Sequence, residues 1–275
     1  MTAPPTTAAP TPTPTPTAAP APSYEVLDFS RDRSFDAFGL RTVTTASAAT
    51  VTLDSESPAI GFDYQVANRG YHVFYFDEKM DFVTVPVPLA NFGYANDYFS
   101  TGDLGFNRSQ YAAGMNYAGY ASWRNTVLPG SIERKLIFGA KTRPSDFPAT
   151  GVSSYLARSQ LSILDPMGRM MNSVNSTDKS FTIDWPTRRV TATILVEQLG
   201  SDVQFAPFTL ELSGNVVVAI DNQIIGTASG GGYSGRIIGN VFGPAGVEAG
   251  LAYRLEGPAG QLLSGVILGR QLPPR

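Results

Sequence analysis

The chain has 275 residues, of which 43% are hydrophobic and only 16% charged, and its formal net charge is -3. This weakly acidic balance excludes a nucleic-acid interface built on excess positive charge, so we expect no nucleic-acid partner. There is no cysteine and only one histidine, His72, which excludes disulfides, cysteine nucleophiles and multi-histidine metal centres. Because the usual sets of catalytic groups are missing, we do not expect an enzyme.

The chain begins with a segment of Thr, Ala and Pro that carries no charge. Such a segment cannot build a core, so residues 1–23 are predicted to form a disordered linker with a reach of roughly 60 Å. It is either a stalk that holds a folded domain away from a membrane or a generic disordered terminus. No secretion signal and no run of about 18 apolar residues is visible. The chain is therefore either a cytosolic protein with a tail or an exported protein whose signal and lipid-anchoring cysteine precede residue 1.

Residues 24–146 are predicted to form an aromatic-rich β domain. Aromatic and β-branched residues are concentrated in short runs, which are separated by Gly, Pro and Asn-Asp breaks, and no long amphipathic helix is apparent. The strand-like runs are 41–45, 50–53, 61–66, 70–76, 80–85, 117–123 and 134–138.

Two groups of side chains in this domain are candidates for ligand binding. His72 or the neighbouring phenol of Tyr71 could ligate a haem iron, with Arg69 pairing to a propionate; the alternative is a hydrogen-bonded histidine at a sheet edge. The second group is a concentration of Tyr, Phe and Trp between 91 and 123, a composition that favours recognition surfaces. Its candidate contact residues are Tyr94, Tyr98, Tyr120 and Trp123. Many aromatic rings of so small a domain must also form its core.

Residues 147–275 are predicted to form an eight-stranded antiparallel β-barrel, which makes the chain all-β. Apolar and polar residues alternate, so that Val190, Ala192 and Ile194 share one face of a strand. Polar outward positions such as Thr191 and Glu211 favour a soluble barrel over one whose outer wall faces lipid. The predicted strands are 153–163, 181–185, 190–197, 208–212, 216–220, 224–228 continuing into 233–242, 248–255 and 262–268. Residues 165–171, which contain three methionines, are predicted to be the loop after the first strand.

A glycine-rich hairpin near the C-terminus carries Phe242, Gly243, Pro244, Glu248 and Gly250. It resembles the closing hairpin of the small barrel in transferrin-binding-protein-B-like surface lipoproteins, a solute-binding family with a Phe-Tyr-Gly-Pro, Glu, Gly-Gly-x-Phe pattern. Positions 240, 241 and 249 differ from that pattern. Residues 138–155 are similar to the segment by which the family enters its barrel, so the resemblance covers about half of the chain.

The resemblance implies an exported protein at the bacterial cell outer membrane, on its surface or its periplasmic face, that is held by a lipid anchor. It implies a binding role in iron acquisition, in which an iron-carrying protein or haem is captured for an outer-membrane transporter. No cofactor is expected, unless haem is the ligand. The alternative is a structural or adhesive envelope protein that binds other surface components, because fold analogy alone does not determine function.

Overall fold

The structure is a computed structural model, and it describes most of the chain beyond residue 23. The described residues are 24–27, 31–54, 60–68, 70–75, 78–83, 96–101, 104–109, 115–127, 130–176, 179–197, 206–220 and 222–273. Within these ranges the chain consists of β-strands, short 3₁₀ turns and loops. No helix in the described part of the chain is long and apolar enough to cross a membrane.

The first half of the chain forms one nine-stranded antiparallel sheet. Its strands are β1 (Arg33–Thr44), β2 (Ala49–Asp54), β3 (Ile60–Gln65), β4 (Gly70–Tyr75), β5 (Glu78–Val83), β6 (Asn96–Thr101), β7 (Leu104–Ser109), β8 (Ala118–Val127) and β9 (Gly130–Gly139). They follow the order β5-β4-β3-β1-β9-β8-β7-β6. The twelve-residue β1 pairs with β9 along one edge, while its other edge is shared by β3 and β2. The sheet curves as a half-barrel.

The second half forms a closed barrel. Its strands are β10 (Val152–Leu164), β11 (Met170–Ser176), β12 (Lys179–Asp184), β13 (Arg189–Val196), β14 (Phe208–Val217), β15 (Gln223–Gly230), β16 (Tyr233–Phe242), β17 (Glu248–Glu256) and β18 (Leu262–Gln271). Pairing of β10 with both β12 and β18 closes a ring of eight strands, namely β10 and β12 to β18. The additional strand β11 pairs with β10 beyond the point where β12 leaves it.

Three apolar clusters hold the two sheets. The first fills the barrel, where strict alternation in β13 sends every second side chain inward, including Val190 and Ile194. The second lies within the half-barrel itself, where β3 and β4 pack against β8 and β9, and it includes Phe62 and Phe138. The third lies between the opposite face of the half-barrel and the outer wall of the barrel. The central strands β1, β8 and β9 of the half-barrel therefore carry buried side chains on both of their faces.

The predicted all-β fold and eight-stranded antiparallel barrel are confirmed, but some strand limits were wrong. Residues 208–212 and 216–220 were predicted as two strands, whereas Gly214 lies within the continuous strand β14 and pairs with Gly226 of β15. Residues 224–242 form two strands, because Gly231 and Gly232 adopt positive φ in a tight turn. Residues 170 and 171 of the predicted methionine loop belong to β11, which pairs with β10.

Candidate functional site

The single histidine lies at the centre of β4. His72 is half-buried, and its register partners are Asp63 on β3 and Asp81 on β5. Because β4 lies between β3 and β5, His72 is not at a sheet edge as the alternative interpretation expected, and its cross-strand neighbours are two acidic residues. The haem-ligand role stays a prediction. Tyr71 precedes His72 on the same strand, opposite Tyr64 of β3.

The side chains of three further candidates lie outside the described part of the structure. Arg69 and Tyr94 lie outside the described residues. Tyr98 lies on β6, where its backbone pairs with Asn107 of β7, and nothing further is described for it. Their role in ligand binding therefore stays a prediction.

Tyr120 and Trp123 are both buried on β8, at 2% and 1% exposure. The hydroxyl of Tyr120 donates a hydrogen bond to Oε1 of Gln160 on the barrel. The indole of Trp123 packs edge-to-face on Tyr75, with ring centroids 6.0 Å apart. Both rings thus pack in the interior, and a ligand could reach them only by displacing part of a core.

A polar cluster that the sequence did not reveal surrounds Tyr75. Its hydroxyl donates a hydrogen bond to Asp54, and burial raises the pKa of Tyr75 far above its ordinary value. The guanidinium of Arg134, which is 2% exposed, lies 5.7 Å from the centroid of the Tyr75 ring, and the Arg41 guanidinium lies 5.9 Å from it. Desolvation lowers the pKa of Arg134. The cluster therefore places a carboxylate and two guanidinium groups next to the apolar core of the half-barrel.

The C-terminal motif lies at the junction between the half-barrel and the barrel. The barrel itself closes between β10 and β18, and the motif forms the turn from β16 to β17. Phe242 is 1% exposed and stacks on Phe38 of β1, with ring centroids 6.4 Å apart. Gly243 has φ of 72°, and a Cβ there would lie 2.4 Å from the ring of Tyr117. The turn therefore requires glycine for both its conformation and its space.

Glu248 of the motif binds the backbone of the half-barrel directly. Its carboxylate accepts hydrogen bonds from the backbone N–H groups of Asn116, Tyr117 and Ala118, at 2.6, 2.9 and 2.7 Å. Burial raises the pKa of Glu248, while these three donors act in the opposite direction. The carboxylate satisfies the N–H groups of the segment that leads into β8.

The remaining members of the motif complete the junction. Pro244 begins a 3₁₀ turn whose last residue, Gly246, accepts a hydrogen bond from the Tyr155 hydroxyl at 2.6 Å. A Cβ at Gly250 would lie 2.9 Å from Cγ2 of Ile137, so glycine lets β17 approach β9 closely. We therefore name residues 242–250 and their partners on the half-barrel the junction.

Polar contacts on either side of the motif strengthen the junction. The ammonium group of Lys135, which is 2% exposed, donates to Oγ of Ser162 at 3.0 Å and lies 3.6 Å from the carboxylate of Glu133 on its own strand. Thr142 donates to the carbonyl of Gly243 at 2.7 Å. The motif residues thus serve the packing of one sheet on the other.

Solved structures of transferrin binding protein B share this arrangement. A variant from Haemophilus parasuis Hp5 matches with a TM-score of 0.50 and 12% identity, over 86% of this chain and 46% of that chain. Intact Ap-TbpB, with its N and C lobes, matches with a TM-score of 0.50 and 11% identity, over 87% of this chain and 46% of that chain. This chain spans about half the length of these proteins and has a fold like that of one lobe. No protein-family model and no curated protein matches the sequence.

Proposed function

We propose that this chain is an exported binding protein of the bacterial outer membrane that captures an iron source for an outer-membrane transporter. The source is an iron-carrying protein or haem. The observation that carries the proposal is the pairing of a half-barrel with a closed barrel, which matches a lobe of transferrin binding protein B over 86% of the chain. The motif at 242–250, which joins the two sheets, also resembles the corresponding hairpin of that family in sequence.

The half-barrel is the proposed binding element. Its strands β4 to β7 carry His72, Tyr71 and Tyr98, and the connected segments carry Arg69 and Tyr94. The barrel wall instead alternates simply along its strands, as expected for a scaffold. Because Tyr120 and Trp123 are buried, we propose that they support this element from within.

Binding measurements with two defined probes test the proposal. Immobilised protein is exposed to iron-loaded transferrin, and protein in solution is titrated with haemin while the Soret band is recorded. Binding of either probe is the expected result. A haem complex should lose its Soret shift in His72→Ala or Tyr71→Phe, whereas Tyr155→Phe, a change inside the barrel, should keep it.

Failure of both probes would contradict capture of these iron sources. A pull-down from envelope extracts, with mass spectrometry of proteins and small molecules, then distinguishes the remaining classes. Recovery of envelope proteins without iron or haem would support the structural or adhesive alternative. Recovery of an iron-carrying protein would keep the proposed class and change only the ligand.

A further inference from the structure

A groove of about 560 Å³ runs between β2 and the outer wall of the barrel. We name it the β2 groove. One side is formed by consecutive residues of β2, numbered 50–54, and the other by residues of β15, β16 and β17. The barrel residues that line it are Gln223, Ile225, Arg236, Ile238 and Arg254.

The groove follows an open strand edge. β2 pairs with β1 through one edge, and no strand among the described residues pairs with its other edge. Five consecutive residues of β2 line the groove, as expected when the side of a strand, and not one of its faces, borders the space. Val51 is 2% exposed in the apolar cluster beneath, which holds β2 in place. Such an edge presents unpaired backbone N–H and C=O groups along about 20 Å.

The barrel side combines an apolar floor with positive charge. Ile225 and Ile238 are cross-strand partners on β15 and β16, and Ile238 is 6% exposed. Arg236 and Arg254 are direct cross-strand partners on β16 and β17. Two like charges in this position repel each other unless an anion lies between them.

The nearby acidic groups neutralise only part of the positive charge of Arg236 and Arg254. Glu256 forms an ion pair with Arg254 through Nη2, while Nε of Arg254 is buried and has no hydrogen-bond partner within the described ranges. Arg236 is exposed and forms no ion pair with any described residue. Asp54 also lines the groove, but its carboxylate already accepts a hydrogen bond from the hydroxyl of Tyr75. Guanidinium groups favour carboxylate ligands, which they bind through paired hydrogen bonds.

We propose that the β2 groove binds an extended acidic peptide segment of a partner protein, which adds to the open edge of β2 as a further strand. Backbone hydrogen bonds to β2 supply the affinity, and alternate side chains contact Ile225 and Ile238. An Asp or Glu of the peptide binds Arg236 and Arg254. This site is separate from the iron-source site proposed above, so either proposal can fail without the other.

Peptide selection on the 275-residue chain tests the site. Random twelve-residue peptides displayed on phage are selected on immobilised protein, and enriched peptides are synthesised and measured by fluorescence anisotropy. Enriched peptides should contain Asp or Glu among β-branched residues. The double variant Arg236→Ala/Arg254→Ala should bind them at least about tenfold more weakly, because charge-assisted hydrogen bonds are lost.

A matched control removes the same charge elsewhere. Arg158 and Arg189 are exposed on other barrel strands, and Arg158→Ala/Arg189→Ala should bind the peptides with unchanged affinity. Thermal unfolding of both double variants confirms that they are folded. If the two double variants bind the peptides equally well, or equally poorly, Arg236 and Arg254 do not form the site.

Hydrogen exchange tests the added strand itself. A bound peptide should slow amide exchange in residues 49–54, since new backbone hydrogen bonds form along β2. Protection elsewhere without protection of β2 would overturn the proposal. The same holds if selection enriches no peptide, or only peptides that lack an acidic residue.

Discussion

Removal of the Glu248 side chain is the most direct test of how the half-barrel is fixed to the barrel. In Glu248→Ala, three backbone N–H groups lose the carboxylate that accepts their hydrogen bonds. The N–H of Ala118 belongs to a buried hydrogen bond, whereas Asn116 is exposed and Tyr117 is half-buried. Water can therefore replace the carboxylate at two of the three donors, but less readily at Ala118.

The magnitude follows from these environments. A buried donor left without a partner costs about 1–3 kcal/mol, and a hydrogen bond that water can replace contributes about 0.5–1 kcal/mol. Removing a carboxylate that is 2% exposed also removes a desolvation penalty, which offsets part of the loss. We expect a net destabilisation of about 2–4 kcal/mol, which corresponds to a fall in the thermal midpoint of about 4–16 °C for a chain of this size.

Calorimetry and urea denaturation at neutral pH provide the measurement. Glu211→Ala is the matched control, because Glu211 is exposed on the barrel wall and its loss should change stability by less than about 0.5 kcal/mol. Glu248→Gln keeps one acceptor oxygen and should lie between wild type and Glu248→Ala. If Glu248→Ala unfolds within about 2 °C of the Glu211→Ala control, the carboxylate does not stabilise the junction and the reasoning is wrong.

Three other changes give distinct expectations. Gly243→Val should destabilise by more than about 3 kcal/mol, because φ is 72° and the new Cβ would lie 2.4 Å from Tyr117; an unchanged urea midpoint would contradict this. Deletion of residues 1–23 should leave the thermal midpoint within about 2 °C, and a larger fall would mean that the segment docks. Burial raises the pKa of Glu248 above 4.5, so the folded state keeps this proton to higher pH than the unfolded state. The unfolding free energy of wild type minus that of Glu248→Ala should therefore fall as pH rises from about 4 to 7, and a rise would show that the three N–H donors outweigh burial.

The barrel could be predicted from the sequence because its pattern is local. In β13 and β14 one face meets the barrel core and the other meets solvent, so polarity alternates with the period of a strand. Its strand limits were harder to predict. Gly214 and Gly231 are both glycines, yet one lies inside a strand and the other in a turn, a difference that depends on pairing with β15 and on backbone φ.

The half-barrel could not be resolved in the same way because its central strands pack on both faces. All six residues from 134 to 139 of β9 are buried, so alternation does not show which side chains face a ligand. The aromatic-rich composition around Tyr120 and Trp123 is typical of a recognition surface, but a core built of large buried rings has the same composition. The β2 groove combines residues 50–54 with residues near 225–254, and no local pattern connects segments so far apart.

The junction also determines when the chain can fold. The half-barrel is made of early segments, yet its barrel-facing apolar side is covered by residues 238–268, and its Ala118 amide is bonded 130 residues further along the chain. The barrel in turn closes only when β18 reaches β10. A chain emerging from the ribosome therefore exposes an apolar sheet face until the segment up to residue 268 has been synthesised. Such long-range closure slows folding, which keeps the chain unfolded for longer and open to chaperones or an export machinery that handles unfolded polypeptides.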